Sequence, residues 1–198
     1  GQLIDRHISS GGSAILSETT ELIGAVHLLE KRTANKDISA RLREVVHKLE
    51  DSILKCGEDI RGTQPTQGNM QGGLTTIEEK SLGGLSKTGT SLLRGVLDNA
   101  ESPHGKGLFF MDGTASTIPL IVAEAAAGAQ VIIYSFGGGT SVINGCLPGM
   151  GTSRLPIVPV ISIVSNTGGV REDELVECYD ILAHKILTGT ETIQQVAE

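Results

Sequence analysis

The densest chemistry in this sequence lies between Gln67 and Gly89. An amide (Asn69), paired glycines (Gly72, Gly73), paired hydroxyls (Thr75, Thr76), paired carboxylates (Glu78, Glu79) and two lysines (Lys80, Lys87) follow one another there. Gly72-Gly73 gives the backbone freedom to turn tightly and approach a ligand. Thr75 or Thr76 then opens a helix in which Glu78 or Glu79 takes the capping position. The unpaired N–H groups and positive dipole of such a helix start receive a carboxylate or a phosphate. Read from spacing alone, the segment is an ordinary capped helix with Glu78, Glu79 and Lys80 as a solvated face.

Other reactive side chains are scattered. The three cysteines, Cys56, Cys146 and Cys178, are too few and too dispersed for a disulfide framework or a CxxC zinc site. Cys56 and Cys178 fall in helical patterns and read as small buried hydrophobes, whereas Cys146 follows a glycine-rich loop. That loop, Gly137-Gly138-Gly139-Thr140-Ser141, lacks the GxGxxG spacing, the immediate helix and the later acidic residue of a dinucleotide site. Among the five histidines, His7, His47 and His184 read as surface or boundary positions and His27 as structural. His104 lies in the turn Ser102-Pro103-His104-Gly105 with no partner in view.

The elements that must position these groups follow from periodicity. Ser13 to Leu16 is a short apolar run that ends at Ser17-Glu18-Thr19, after which Leu22, Ile23, Val26 and Leu29 recur at helical spacing: strand, cap, helix. Apolar positions from Ile38 to Leu54 predict a long amphipathic helix from Asp37 that ends near Gly57 or Gly62. A polar loop, Gly62 to Gln71, then leads into the Thr75–Glu79 segment. Further on, apolar runs at Gly107–Met111, Val131–Phe136 and Ile157–Val164 alternate with helical patterns at Ile118–Ala127 and Glu172–Leu187. Pro156 and Pro159 give the third run an edge position or a late start.

Buried runs alternating with helices predict an α/β fold, a Rossmann-like parallel sheet with helices on both faces, plus an N-terminal helical portion. Residues 1–198 read as a single α/β domain, 1–90 helical with the glycine- and threonine-rich loop and 91–198 carrying the sheet. Ligands of such sheets bind beyond the carboxyl ends of the strands. Asp112, Ser135 to Thr140 and Ser165 to Thr167 each occupy such an end.

Bulk properties narrow the classes. The 198 residues can bury a full core. A net charge of −7 argues against a nucleic-acid or anionic-membrane surface. There is no apolar run of transmembrane length and no signal-peptide pattern, which points to a soluble cytoplasmic protein. Aromatic residues are 3% and tryptophan is absent, so base-stacking platforms are not expected. The chain opens on Gly1 rather than methionine and reads as a piece of a longer polypeptide.

The run Gly68-Asn69, Gly72-Gly73-Leu74-Thr75-Thr76-Ile77, Glu79-Lys80-Ser81-Leu82-Gly83, Lys87 and Gly89 resembles a hallmark of the altronate/galactarate dehydratase family. Further resemblance lies in Gly11–Leu29, Gly107–Asp112, Ala126–Ser135, Gly145-Cys146 and Ser165–Thr167, in order and across most of the chain. One departure concerns the loop after the second apolar run. The family's loop usually carries an arginine and passes quickly from Gly-Cys into the last strand, whereas here Leu147 to Leu155 is extra and Arg154 is the available clamp for a carboxylate.

The resemblance implies a hydro-lyase that removes water from a sugar acid to leave a 2-keto-3-deoxy acid. Such chemistry needs a base for the proton beside the carboxylate, an electrophile for the enediolate and an acid for the leaving hydroxyl. The resemblance implies Lys80 and Glu79 as catalytic groups, with Lys80 as base or oxyanion partner. It implies Asn69, Gly72, Gly73, Thr75, Thr76, Ser81, Asp112, Asn166 and Thr167 against the substrate. It also implies a divalent metal, Fe2+, for which Glu18, Glu79, Asp112 and Cys146 are the candidate ligands in this chain, Glu18 and Cys146 foremost. A sugar acid, the remainder of a longer enzyme and a homo-oligomeric partner are the expected partners, and little turnover is expected from residues 1–198 alone. The sulfolactate-cleaving relatives of the same fold, and a non-catalytic carboxylate-binding or assembly domain, are the rival readings.

Overall fold

The computed structural model describes residues 1–113, 117–136, 157–165, 175–176 and 179–196. The chain forms two compact units, one of Gly1–Pro65 with Thr75–Gly128 and the other of Thr66–Leu74 with Ala129–Glu198.

In the first unit, β1 (Ser13–Leu16), β2 (Leu93–Leu97) and β3 (Gly107–Met111) make a parallel sheet in the order β1-β3-β2. Every residue of β3 is buried, as the unbroken Gly-Leu-Phe-Phe-Met run predicts for a strand covered on both faces. Ala14 registers with Leu108 and Leu16 with Phe110 on one side, Leu97 with Met111 on the other. The sheet therefore begins within the first 90 residues, at β1. Strand β2 is not evident from its sequence, since Arg94 and Gly95 interrupt the apolar pattern. A Cβ at Gly95 would lie 3.0 Å from the Phe109 ring, a tight contact that favours glycine there.

Helices cover this sheet. After α1 (Gln2–Ser9) and a 3-10 turn at Thr19–Leu22, α2 (Val26–Glu30) begins beyond Gly24, whose φ of +80° breaks the expected single helix. The long helix α3 is Lys36–Lys55. Asn35 opens it by accepting a hydrogen bond from Ile38 N at 2.9 Å, and Gly57, at φ +82°, follows its end. Leu42, Val45 and Val46 of α3 are buried with Leu22, Ile23, Leu29, Leu93, Leu108 and Phe110, each contributing about 1.5–3 kcal/mol by leaving water. Cys56, expected inside, is exposed, because α3 ends before its helical stripe reaches that position. The stretch expected to be a plain loop holds a 3-10 turn, Ile60–Gly62, in this unit and a short helix α4, Gln67–Gln71, that belongs to the second. Helix α5 is Ile77–Ser86 and α6 is Thr117–Ala126.

The second unit holds β4 (Ile132–Phe136), β5 (Val160–Val164) and β6 (Ile181–Leu182), again parallel, in the order β4-β5-β6. Strand β5 is central rather than an edge, but it does start late, directly after Pro159. The expected closing helix from Glu172 to Leu187 is interrupted by β6. The Asp180 carboxylate accepts from Ser162 N at 2.7 Å and Ser162 Oγ at 2.8 Å, and Ala183 N donates to Val164 O at 2.7 Å. These bonds draw residues 180–183 into extended pairing with β5. Short helices α7 (His184–Thr188) and α8 (Ile193–Val196) follow. The architecture is α/β with parallel sheets and an N-terminal helical part. Among the described residues no helix is long and apolar enough to cross a membrane.

Candidate functional site

The turn after β1 carries Glu18 and Glu21 in the first unit. Its backbone is held by the neighbouring strand end. Thr19 Oγ1 donates to Asp112 Oδ1 at 2.9 Å and accepts from Gly113 N at 3.0 Å, while Thr19 N donates to Gly113 O at 3.2 Å. Ser17 Oγ donates to Met111 O. Gly113 has no room for a side chain, since a Cβ would fall 2.4 Å from Ser17 Oγ and 2.5 Å from Leu120 Cδ1 of α6. The carboxyl ends of β1 and β3 and the start of α6 thus meet at Glu18.

Glu18 adopts φ +76°, a left-handed conformation that costs a non-glycine residue roughly 1–2 kcal/mol. Its carboxyl is pushed above the usual range, first by burial and next by the charge of Glu21, while Lys87 and Lys80 pull it back. Glu124 of α6 is pushed up to about 7, by burial and then by the charge of Glu18.

Helix α5 supplies the opposing cations. Thr76 caps it, accepting from Glu79 N at 3.1 Å, and the Glu79 carboxylate returns to Thr75, accepting from its N at 2.8 Å and its Oγ1 at 2.7 Å. Lys80, Gly84 and Lys87 fall on one helical stripe. Gly84 lets that stripe press on the turn after β1, because a Cβ there would lie 2.8 Å from Glu21 Cβ. Lys87 Nζ donates to both Glu21 oxygens, at 2.8 and 2.6 Å. Lys80 Nζ donates to Gln64 Oε1 at 2.8 Å. Two ammonium groups thus bear electrostatically on Glu18, a carboxyl of raised proton affinity, an arrangement suited to receiving an organic anion and to moving a proton.

The expected site residues divide under this geometry. Lys80, Glu18 and Asp112 all belong to the first unit, with Glu18 and Asp112 at adjoining strand ends. Thr75, Thr76 and Glu79 form the exposed opening of α5, and the two Thr75 donors hold Glu79 below the usual carboxylate range. Ser81 is fully buried and donates to Ile23 O at 2.8 Å, fastening α5 to the core. Asn69 belongs to the second unit and closes a reciprocal cap of α4 with Thr66, Oδ1 accepting from Thr66 N at 3.2 Å. Gly72 follows that helix in right-handed geometry and Gly73 turns the chain at φ +104°. Asn166, Thr167, Cys146, Arg154 and the Gly137–Ser141 loop lie outside the described residues.

Of the two foremost ligands expected for iron, Glu18 lies in the turn after β1 and Cys146 falls outside the described residues. Among the described residues, however, no three His, Cys, Asp or Glu side chains group closely enough to hold an ion. The described residues do not complete a metal site.

Sequence reasoning missed Glu21, Gln64 and Glu124. Glu124 carried a signal: it is the one ionisable residue within the apolar helix Thr117–Ala126. His104, without a visible partner in the sequence, packs edge-on against Phe109 at 5.3 Å.

The family model described as "D-galactarate/Altronate dehydratase, C-terminal" matches residues 1–198. The chain is 36% identical over 173 residues to the (2R)-sulfolactate sulfo-lyase subunit beta of Chromohalobacter salexigens, covering 86% of this chain and 42% of that protein. It is 32% identical over 196 residues to galactarate dehydratase (L-threo-forming) of Escherichia coli, covering 99% and 35%. It is 30% identical over 167 residues to altronate dehydratase of Bacillus subtilis, covering 84% and 31%. The chain thus spans well under half the length of these relatives. With that match over its whole length, this chain belongs to the D-galactarate/altronate dehydratase C-terminal family.

Proposed function

We propose that this chain contributes the Lys80 and Glu18 face of the active site in a hydro-lyase that dehydrates a sugar acid of galactarate or altronate type to a 2-keto-3-deoxy acid. The observation that carries the reading is that α5 brings Lys80 and Lys87 to bear electrostatically on Glu18 in the turn after β1. The names of the dehydratase relatives support the substrate class.

In this reading the substrate carboxylate enters against the α5 cations. Removal of the proton beside it sends the electron pair into the carboxylate, and the enediolate then expels the β-hydroxyl as water on protonation. Lys80 serves as the base when neutral, or holds the enediolate when charged. Glu79 is given the opening of α5, and hence the placement of Lys80, instead of proton transfer. Asp112 and Thr19 hold the turn that presents Glu18.

A second reading, elimination of sulfite from sulfolactate, is favoured by the 36% identity to a sulfo-lyase subunit. It shares the proton abstraction and differs in the leaving group. The test is an assay of the full-length protein with galactarate, altronate and sulfolactate, with and without added ferrous iron, reading 2-keto acid and released sulfite separately. Keto acid without sulfite supports the dehydratase, sulfite supports the sulfo-lyase, and neither product from any of the three acids sinks both.

A further inference from the structure

The turn that precedes α4 reaches Lys80 from a direction independent of Glu18. Asp59 accepts from Arg61 N at 2.9 Å and opens the 3-10 turn Ile60–Gly62. Ile60 is buried in the core, and Gln64 N donates to Ile60 O at 2.8 Å. The Arg61 guanidinium pairs with Glu50 on α3 and lies 3.7 Å from Glu78 on α5. The turn is therefore fastened to α3 and to the core before it presents Gln64. From that footing Gln64 Oε1 accepts from Lys80 Nζ at 2.8 Å.

A long ammonium side chain loses much rotamer freedom when fixed, so a rooted acceptor matters. The acceptor is also neutral. A carboxylate at this position would orient Lys80 equally well but would consume its charge in an ion pair. We propose that Gln64 is a positioning residue for Lys80, fixing its ammonium through a neutral acceptor so that the positive charge remains available to an anionic substrate. This rests on the reading of Lys80 as the group that meets the acid.

The two obvious substitutions separate positioning from mere packing. Gln64→Leu keeps the bulk and removes the acceptor; turnover should fall about tenfold or more through misplacement of Lys80. Gln64→Glu keeps both shape and acceptor, so it would rescue a purely structural role. Here it should instead raise KM for the acid about tenfold, because the added charge pairs with Lys80 and repels the substrate. Both variants should melt within ~3 °C of the parent. If both folded variants keep kcat and KM within about twofold of the parent, the proposal fails.

A readout that needs no turnover keeps this distinct from the fate of the dehydratase reading. Competitive acylation of the full-length protein, followed by mass spectrometry, gives the modification rate of Lys80 against the exposed Lys106. Gln64→Leu should raise that ratio at least ~3-fold, as the released ammonium becomes mobile. An unchanged ratio would overturn the positioning role even in a protein with no activity on any acid tested. An increased ratio with no turnover on any acid would instead uphold the positioning and reject the substrate.

Discussion

Lys87 Nζ bridges the two carboxylate oxygens of Glu21 at 2.8 and 2.6 Å, joining the residue just past α5 to the 3-10 turn after β1. The Glu21 side chain is only 13% exposed. Removing its partner leaves a poorly solvated charge beside Glu18, whose proton affinity Glu21 already raises. Lys87→Met should therefore destabilise the protein by roughly 1–3 kcal/mol, and the double change with Glu21→Gln should recover part of the loss. Urea unfolding measures both; a single-variant cost below about 0.3 kcal/mol would show the pair to be a weak surface bridge.

Glu124 makes a prediction about pH. Its carboxyl is raised from 4.5 to about 7 in the folded chain. Below 4.5 it is protonated in both states, and between those values the unfolded chain releases the proton while the folded one keeps it. Its contribution is therefore fully present at low pH and is lost as pH rises through about 7. Glu124→Gln should gain on the order of 2 kcal/mol on the parent between about pH 5 and pH 8, with little further change above that. Denaturation series at several pH values test this, and parallel curves for the two proteins would contradict it.

Much of this arrangement can be read from the chain and part cannot. The burial of β3, a threonine-capped start of α5 with Glu78 or Glu79 in the capping position, and the placing of Asp112 at a strand end all follow from local pattern. Lys80 and Lys87 could be singled out, but not what they face: Glu21 and Glu18 are some sixty residues away in the chain, brought in because Gly84 permits α5 to approach. Glu124 acquires its character from the approach of Glu18, and Ser81 its burial from Ile23. Strand β6 escaped notice because its residues also satisfy a helical period, and the bonds to Ser162 and Val164 that make it extended are tertiary.

Lys80 separates chemistry from solvation. In the full-length enzyme Lys80→Met should lower turnover at least ~100-fold, the usual loss for one general acid/base group. Stability should change by less than about 1 kcal/mol, since the methionine stem can cover the same surface. Normal kinetics in the folded variant would remove Lys80 from the mechanism.

The backbone at Glu18 gives the last test, because its φ of +76° reverses a familiar order of stability. At most positions glycine is less stable than alanine, through the larger freedom of its unfolded chain. In the left-handed region alanine retains the Cβ strain of about 1–2 kcal/mol that glycine escapes. Both substitutions also remove a carboxyl that Glu21 and Glu124 repel, so neither should be less stable than the parent by more than about 1 kcal/mol. Glu18→Gly should then exceed Glu18→Ala by roughly 0.5–1 kcal/mol, while both lose most turnover in the full-length enzyme. An alanine variant more stable than the glycine variant would place Glu18 outside the left-handed region. Full turnover in either would remove the Glu18 carboxyl from the reaction.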